Sequence, residues 1–426
     1  MAAVADWGTA DQPTYKAWLF RTRPIALPAV ALVVWFLYAM RFLPSLRPGI
    51  WGHARWVLLV VLAIQGLQEI WKLGGDTPLP SPLLGFFLFS IATFASVAYS
   101  ILPLFSFYKA LAFLLGLIGL TLGVGLRHRG RPGSWLRLLA SLNLVIVGLS
   151  IVSLATFGSF STGFFQGPFY NPNSLGSALA LTFPALLWLR EQHLSDAPLI
   201  LRSKVLTVAV FLNIALVFFS RSRASLLAMA LVLVLYAILR KSRFAWIIVY
   251  GMFVLLLAAP SSASQIGREA AFKGRDAQLA FTTRTEEFGE TLQAAQSNPI
   301  GGFGFGTSAG DTEWDGSISA ADVGREKTNA YLGVVEEVGL VGGVPLFLGF
   351  VATLVLGFRA ARRERLADDG SPAALVILVT AGALHVNFEA WLTSAGTYET
   401  FIFWATVGVL LMNVGGLMRA PQDSVG

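Results

Sequence analysis

The sequence predicts an all-α polytopic membrane protein, with about 12 transmembrane helices and one large extracytoplasmic loop between the ninth and the tenth. Three observations carry that expectation. Of the 426 residues, 55% are hydrophobic and only 13% charged, against about 25% charged in a soluble domain. Apolar runs long enough to cross a hydrocarbon core, about 20 residues each, recur along the whole chain and raise the mean hydropathy to +0.67. Only between Pro260 and Tyr331 does the chain stay polar for longer than a short connection.

The expected spans run over 24–40, 56–71, 82–100, 104–126, 138–157, 174–189, 205–220, 224–239, 244–260, 330–357, 372–391 and 400–418. They divide the chain into a first helical block (1–260), the loop (261–329) and a second helical block with a short tail (330–426). The polar stretch before the first span lacks a small-residue cleavage site and reads as a cytoplasmic lead-in rather than a signal peptide.

Orientation follows from basic residues in short loops. Arg127, Arg129, Arg131 and Arg137 follow the fourth span, Arg240, Lys241 and Arg243 the eighth, and Arg359, Arg362, Arg363 and Arg365 the tenth. With twelve spans these fall on one side, which is then cytoplasmic and holds both termini. Arg41, Arg47 and Arg55 break the rule by falling outside. The large loop faces outward and is net acidic, with ten Asp or Glu against six Lys or Arg from Ser261 to Lys327.

Several function classes drop out. The net charge of +7 sits in short loops, where it orients the chain rather than binding nucleic acid. Without cysteine there is no disulfide framework, thiolate metal site or Cys nucleophile. Histidines at 53, 128, 193 and 385 show no metal-ligand spacing, so neither a metal nor another cofactor is expected.

The candidate chemistry lies on the outer face. In FFSRSRASLL (Phe218 to Leu227), Arg221 and Arg223 occupy a tight hairpin between two apolar runs. Charge there is costly unless it faces a cavity or a partner; the alternative is a pair of interfacial anchors. Thr283 with Glu286 matches a capping box and puts Arg284 in the first turn of a helix ending near Gln296. An arginine opposes the dipole there, which suggests an anionic partner; pairing with Glu287 or Glu290 is the alternative. The run Asn298 to Gly306, NPIGGFGFG, lets the backbone turn sharply and approach a ligand, but lacks the context of a dinucleotide or P-loop site. FYNPNSLG (Phe169 to Gly176) opens the sixth span, with Asn173 or Ser174 as its N-cap.

Carboxylates complete the set. Glu336 and Glu337 fall near the outer end of the tenth span and Glu389 near that of the eleventh, with His385 one helical turn deeper on the same face. A carboxylate partly withdrawn from water can accept a proton near neutral pH. Glu389 is therefore the candidate base, Glu326 and Glu337 its rivals, and a paired structural carboxylate the alternative for each.

Four separated pieces then coincide: Asn171-Pro172-Asn173 before one span, Ser222-Arg223-Ala224 opening another, Arg284 upstream of Pro299 to Gly304, and Asn329-Ala330-Tyr331-Leu332 leading to Glu337 to Gly342. In this order around one outer loop, over about residues 165–405, the chain resembles the bacterial O-antigen ligase and O-antigen or exopolysaccharide polymerase superfamily. The resemblance implies a GT-C-like, metal-independent, inverting glycosyltransferase of the inner membrane, active on its periplasmic face. Such an enzyme moves a glycan from undecaprenyl diphosphate to the hydroxyl of an acceptor glycan.

By the same resemblance Arg223 and Arg284 hold the diphosphate. Asn171, Asn173, Arg221, Gly304, Gly306, Glu326, Asn329, Tyr331, Glu337 and His385 are expected around the substrates, with Glu389 as base. Thr328 stands where ligases of this pattern carry the His before the Asn. Glu326-Lys327-x-Asn329, and Glu389 with Ser394-Ala395-Gly396, resemble polymerases instead. The polymerase reading leads, with a chain-length regulator as a possible partner, and the ligase reading follows. A flippase of lipid-linked oligosaccharide is the rival of a different class, disfavoured because neither a two-fold repeat nor midplane charge is visible.

Overall fold

The computed structural model describes residues 26–40, 50–73, 79–157, 160–161, 164–192, 203–258, 288–308, 327, 329–363 and 370–417. Among them are twelve helices of 14 residues or more. In chain order these are α1 Ala26–Ala39, α2 Ile50–Lys72, α3 Pro82–Ser96, α4 Pro103–Arg127, α5 Pro132–Phe157 and α6 Pro172–Glu191. They continue with α7 Ser203–Ser220, α8 Arg223–Leu239, α9 Arg243–Ala258, α10 Ala330–Arg363, α11 Ser371–His385 and α12 Tyr398–Leu417. The strands described are a two-residue antiparallel pair, Phe160–Ser161 with Phe164–Phe165. A shorter helix covers 288–297 in the large loop.

Hydrophobic surface explains how these helices assemble. The α6 side chains from Leu175 to Leu189 are all buried, so this helix runs through the middle of the bundle, against α5, α7, α8 and α11. By contrast α2, α9 and α10 turn large apolar side chains outward, including Trp71, Ile247, Tyr250 and Phe347. Such surface costs about 25 cal/mol per Å² in water and nothing comparable in lipid. Helices α2, α4, α5 and α10 are long and apolar enough to cross a membrane, and the chain is an all-α membrane protein. Small residues let the helices close up. A Cβ at Gly408 of α12 would lie 1.9 Å from the Thr121 carbonyl oxygen, inside the π-helical stretch Leu117–Val124 of α4.

The connections gather at two ends. At the basic end, the Gly130 N–H donates to Asn413 Oδ1 (2.7 Å), and Glu191 accepts from Tyr236 at 3.0 Å and faces Arg240 at 3.6 Å. At the opposite end Met40 bridges to Phe169, Arg55 donates to the Gly396 carbonyl, and the Ala330 N–H donates to the Val386 carbonyl at 2.9 Å.

The glycine-rich run reaches the bundle at this second end, and α10 breaks to receive it. Gly339 leaves the helical conformation (φ 62°, ψ −168°), which separates the N–H groups of Leu340 and Val341 from the carbonyls of Glu336 and Glu337. The run fills the gap reciprocally. Pro299 and Ile300 carbonyls accept from Leu340 and Val341 at 2.8 and 3.3 Å, while Phe303 and Gly304 N–H groups donate to Glu336 and Glu337 carbonyls at 3.0 and 2.8 Å. Four backbone groups that a break in an apolar helix would orphan are thereby satisfied. Phe305 of the same run is buried against Phe89 and Phe113.

Two expectations need correction. The eleventh span was expected over 372–391, but α11 ends at His385. The Asn387 side chain takes the carbonyls of Ala383 and Leu384 (3.0 and 3.2 Å), offering the last turn a local alternative to further helix. Glu389 is therefore not on the helix and does not share a face with His385. The cap of the sixth span is Asn171 rather than Asn173 or Ser174: its Oδ1 accepts the Asn173 N–H at 2.9 Å, and Pro172 follows at the first helical position.

Candidate active site

A cavity of about 270 Å³ opens at the end of the bundle where α1, α2, α6, α11 and α12 meet. Asn171, Asn173, Ser174 and Ser177 enter from the start of α6, and Trp35 and Tyr38 from the end of α1. Arg55 comes from the first turns of α2, with its guanidinium 3.4 Å from the Tyr38 ring centroid. The segment between α11 and α12 contributes Glu389, Trp391 and Gly396, and α12 contributes Tyr398 and Glu399.

Two carboxylates are held at defined points. Asn173 Nδ2 donates to Glu389 Oε1 at 3.0 Å, joining residues 216 apart in sequence. Deeper in, Ser177 Oγ donates to Glu399 Oε1 at 2.8 Å and lies 2.7 Å from the Tyr398 hydroxyl, which donates to the Ser174 carbonyl.

His385, buried beside the cavity, is constrained chemically. The indole of Trp391 can only donate, and it reaches His385 Nδ1 at 3.0 Å, so Nδ1 is the acceptor and the ring is neutral. Nε2–H then faces Ser225 Oγ at 3.2 Å, and Ser225 Oγ is 2.8 Å from Ser222 Oγ. The single acceptor nitrogen is already engaged, so His385 ties the α7–α8 hairpin to α11 and is poorly placed to take a proton from substrate.

That hairpin carries both arginines. Arg221 forms its corner with φ 50°, a rare conformation for a side chain that is not glycine, and its guanidinium lies 5.3 Å from the Phe164 ring centroid. Arg223 is the first residue of α8, half-buried, at the same end as the cavity.

An ionic cluster stands at the joint. Lys327 Nζ lies 2.8 Å from Glu336 Oε2 and 3.7 Å from Glu337 Oε1, and Lys109 Nζ lies 3.3 Å from Glu337 Oε1. Two carboxylates and two ammonium groups balance here. Glu337 Oε2 also accepts the Gly306 N–H at 2.9 Å. The Gly304 and Gly306 N–H groups, expected near substrate, are thus both engaged with Glu337. Asn329 Oδ1 caps α10 by accepting from Tyr331 and Leu332 N–H groups, and the Tyr331 hydroxyl donates to the Ala383 carbonyl at 3.1 Å.

The sequence-derived set therefore separates. Asn171, Asn173, His385 and Glu389 line one cavity, while Gly304, Gly306 and Glu337 sit at the joint and Asn329 and Tyr331 fasten α10 to α11. Arg284 and Glu326 lie outside the described residues, as do the capping box at Thr283 and the substituted position Thr328. Sequence reasoning missed Trp35, Tyr38, Ser177, Tyr398 and Glu399 as cavity residues, and Lys109 as a partner of Glu337. Two signals were readable: Arg55 breaks the charge-sidedness rule, and Glu399 is an acid in the first turn of an apolar helix.

A further histidine, His128, lies in the turn after α4. Burial first, then the neighbouring Arg127 charge, lowers its pKa to about 4. It stays neutral, with Nδ1 2.6 Å from Ser134 Oγ, at the basic end of the bundle.

Residues 208–351 match a family model described as O-Antigen ligase. No curated protein matches the chain. The matched stretch contains Ser222-Arg223-Ala224, the glycine-rich run, the break at Gly339 and the Asn329–Leu332 element. The match covers about a third of the chain and supports the resemblance of this stretch to the O-antigen ligase and polymerase superfamily, whose members are glycosyltransferase-like membrane enzymes.

Proposed function

We propose that the protein polymerises surface-polysaccharide repeat units, transferring a glycan from undecaprenyl diphosphate to an acceptor sugar hydroxyl on the periplasmic face of the inner membrane. The observation that carries this reading is the Asn173–Glu389 pair, at 3.0 Å, lining a cavity at the same end of the bundle as Arg223. In the reaction Glu389 accepts the hydroxyl proton as the acceptor oxygen attacks the anomeric carbon. The bond from that carbon to the diphosphate breaks and its electron pair leaves with the diphosphate. Arg223 and Arg284 oppose the charge that develops there, since a guanidinium makes charge-assisted, often two-point contacts to phosphate oxygens. Asn173 fixes the Glu389 carboxylate by a hydrogen bond, which saves reorganisation during transfer. No step in this scheme calls for a divalent metal.

The polymerase reading is preferred because Thr328 replaces the histidine of the ligase pattern and a threonine cannot act as a base at neutral pH. The ligase reading has one specific support, the printed description of the matched family. Protein reconstituted with a synthetic undecaprenyl-diphosphate oligosaccharide separates them. A ladder of lengthening products that persists in EDTA and is lost in Arg223→Ala is expected. Transfer of one glycan to lipid A-core, with no ladder, would establish the ligase instead.

A further inference from the structure

None of the side chains lining the cavity lies within residues 208–351. The matched stretch supplies Arg223 and the joint at Gly339, while the cavity is built wholly from the rest of the chain. Machinery for the bond that breaks and a pocket for what is recognised thus come from different parts of the sequence.

The pocket has a definite chemistry. Aromatic side chains, Trp35, Tyr38 and Trp391, form part of the wall beside Glu389, Glu399 and Arg55. Carboxylates accept hydrogen bonds, a guanidinium donates them, and aromatic rings cover apolar surface. A ligand suited to all three has hydroxyls around a ring with apolar C–H faces, as a pyranose does.

Charge and size narrow the ligand further. Two carboxylates against one guanidinium give the cavity a net charge of −1, which disfavours a diphosphate or a uronate. At about 270 Å³ it is smaller than the roughly 300–1,000 Å³ of drug-sized pockets, so it takes about one ring. Glu399 is fixed at the inner wall by Ser177, and Glu389 by Asn173. A ring in the cavity would meet two positioned acceptors.

We infer that this cavity binds the terminal uncharged sugar ring of the acceptor glycan and so determines which acceptor is extended. The inference rests on the reading that Glu389 takes the acceptor's proton. It is tested on the full chain in lipid nanodiscs by saturation-transfer-difference NMR, using neutral methyl pyranosides and the corresponding methyl uronosides as probes. At least one neutral glycoside is expected to bind at least ten times more tightly than its uronate. Glu399→Gln, which removes one of the two carboxylates, should narrow the gap between glycoside and uronate. Binding of no neutral glycoside, or equal binding of the uronate, would overturn it. Turnover of lipid-linked substrate, measured on the same preparation, separates the two readings. Turnover without sugar binding removes the cavity assignment alone, whereas sugar binding without turnover leaves a sugar site but removes the transferase reading and, with it, the acceptor role of the cavity.

Discussion

Replacing Gly302 by alanine probes the seat on which the large loop rests. Gly302 has φ 69°, and an added Cβ would stand 2.5 Å from the Glu337 carbonyl carbon and 2.6 Å from the carbonyl oxygens of Glu336 and Glu337. All three are backbone atoms, so no side chain can swing aside. The left-handed conformation costs a non-glycine residue about 1–2 kcal/mol. Relieving the clash pulls the run away from the break and strains the bonds from Phe303 and Gly304 to those same carbonyls, each contributing about 1 kcal/mol. The expected total is about 3–4 kcal/mol of local stability. Hydrogen exchange at the Leu340 and Val341 amides, which donate to Pro299 and Ile300, reads that loss directly as exchange faster by roughly 150- to 900-fold. Gly289 is the control: it lies in the helix over 288–297 with open space where a Cβ would go, so Gly289→Ala should be neutral or gain up to about 1 kcal/mol. Wild-type exchange rates in Gly302→Ala would refute the view that reciprocal backbone bonding seats the loop.

Two further outcomes follow from the charges. Lys109→Met should cost about 1–2 kcal/mol, less than the 3–5 of a fully buried broken pair, because Glu337 keeps Lys327 and the Gly306 N–H. Most of that loss should return in the double variant with Glu337→Gln, read as a coupling energy from thermal melts. For His128 the folded pKa, about 4, lies below the unfolded value near 6.5, so its contribution is complete above pH 6.5 and is lost as pH falls towards 4. Melting in detergent should therefore show up to about 3 kcal/mol of acid sensitivity over that window that His128→Gln lacks; identical profiles for the two proteins would refute the role.

The helices were largely legible because apolar runs of spanning length are a one-dimensional signal. Their ends were not. The stop of α11 at His385 depends on one side chain, Asn387, folding back on two carbonyls, and periodicity does not register that. The glycine-rich run was visible as a special segment, yet its partner is a break at Gly339 more than thirty residues away in a sequence that otherwise reads as continuous helix. Glu389 and Asn173 were each readable, but not their pairing across 216 residues. Arg55 shows what an exception can carry: it misfits the charge rule and it lines the cavity.

The central claim is that Glu389, positioned by Asn173, takes the acceptor's proton. It is tested most directly by the turnover of Glu389→Gln with a synthetic undecaprenyl-diphosphate oligosaccharide in reconstituted bilayers. Glutamine keeps the size and can still accept from Asn173, so what is lost is basicity. General-base catalysis contributes typically 10²–10⁴-fold, and a fall in rate of at least about 100-fold is predicted, with folding and sugar binding retained. Turnover within a few-fold of wild type would contradict the assignment and move the search for the base to the large loop.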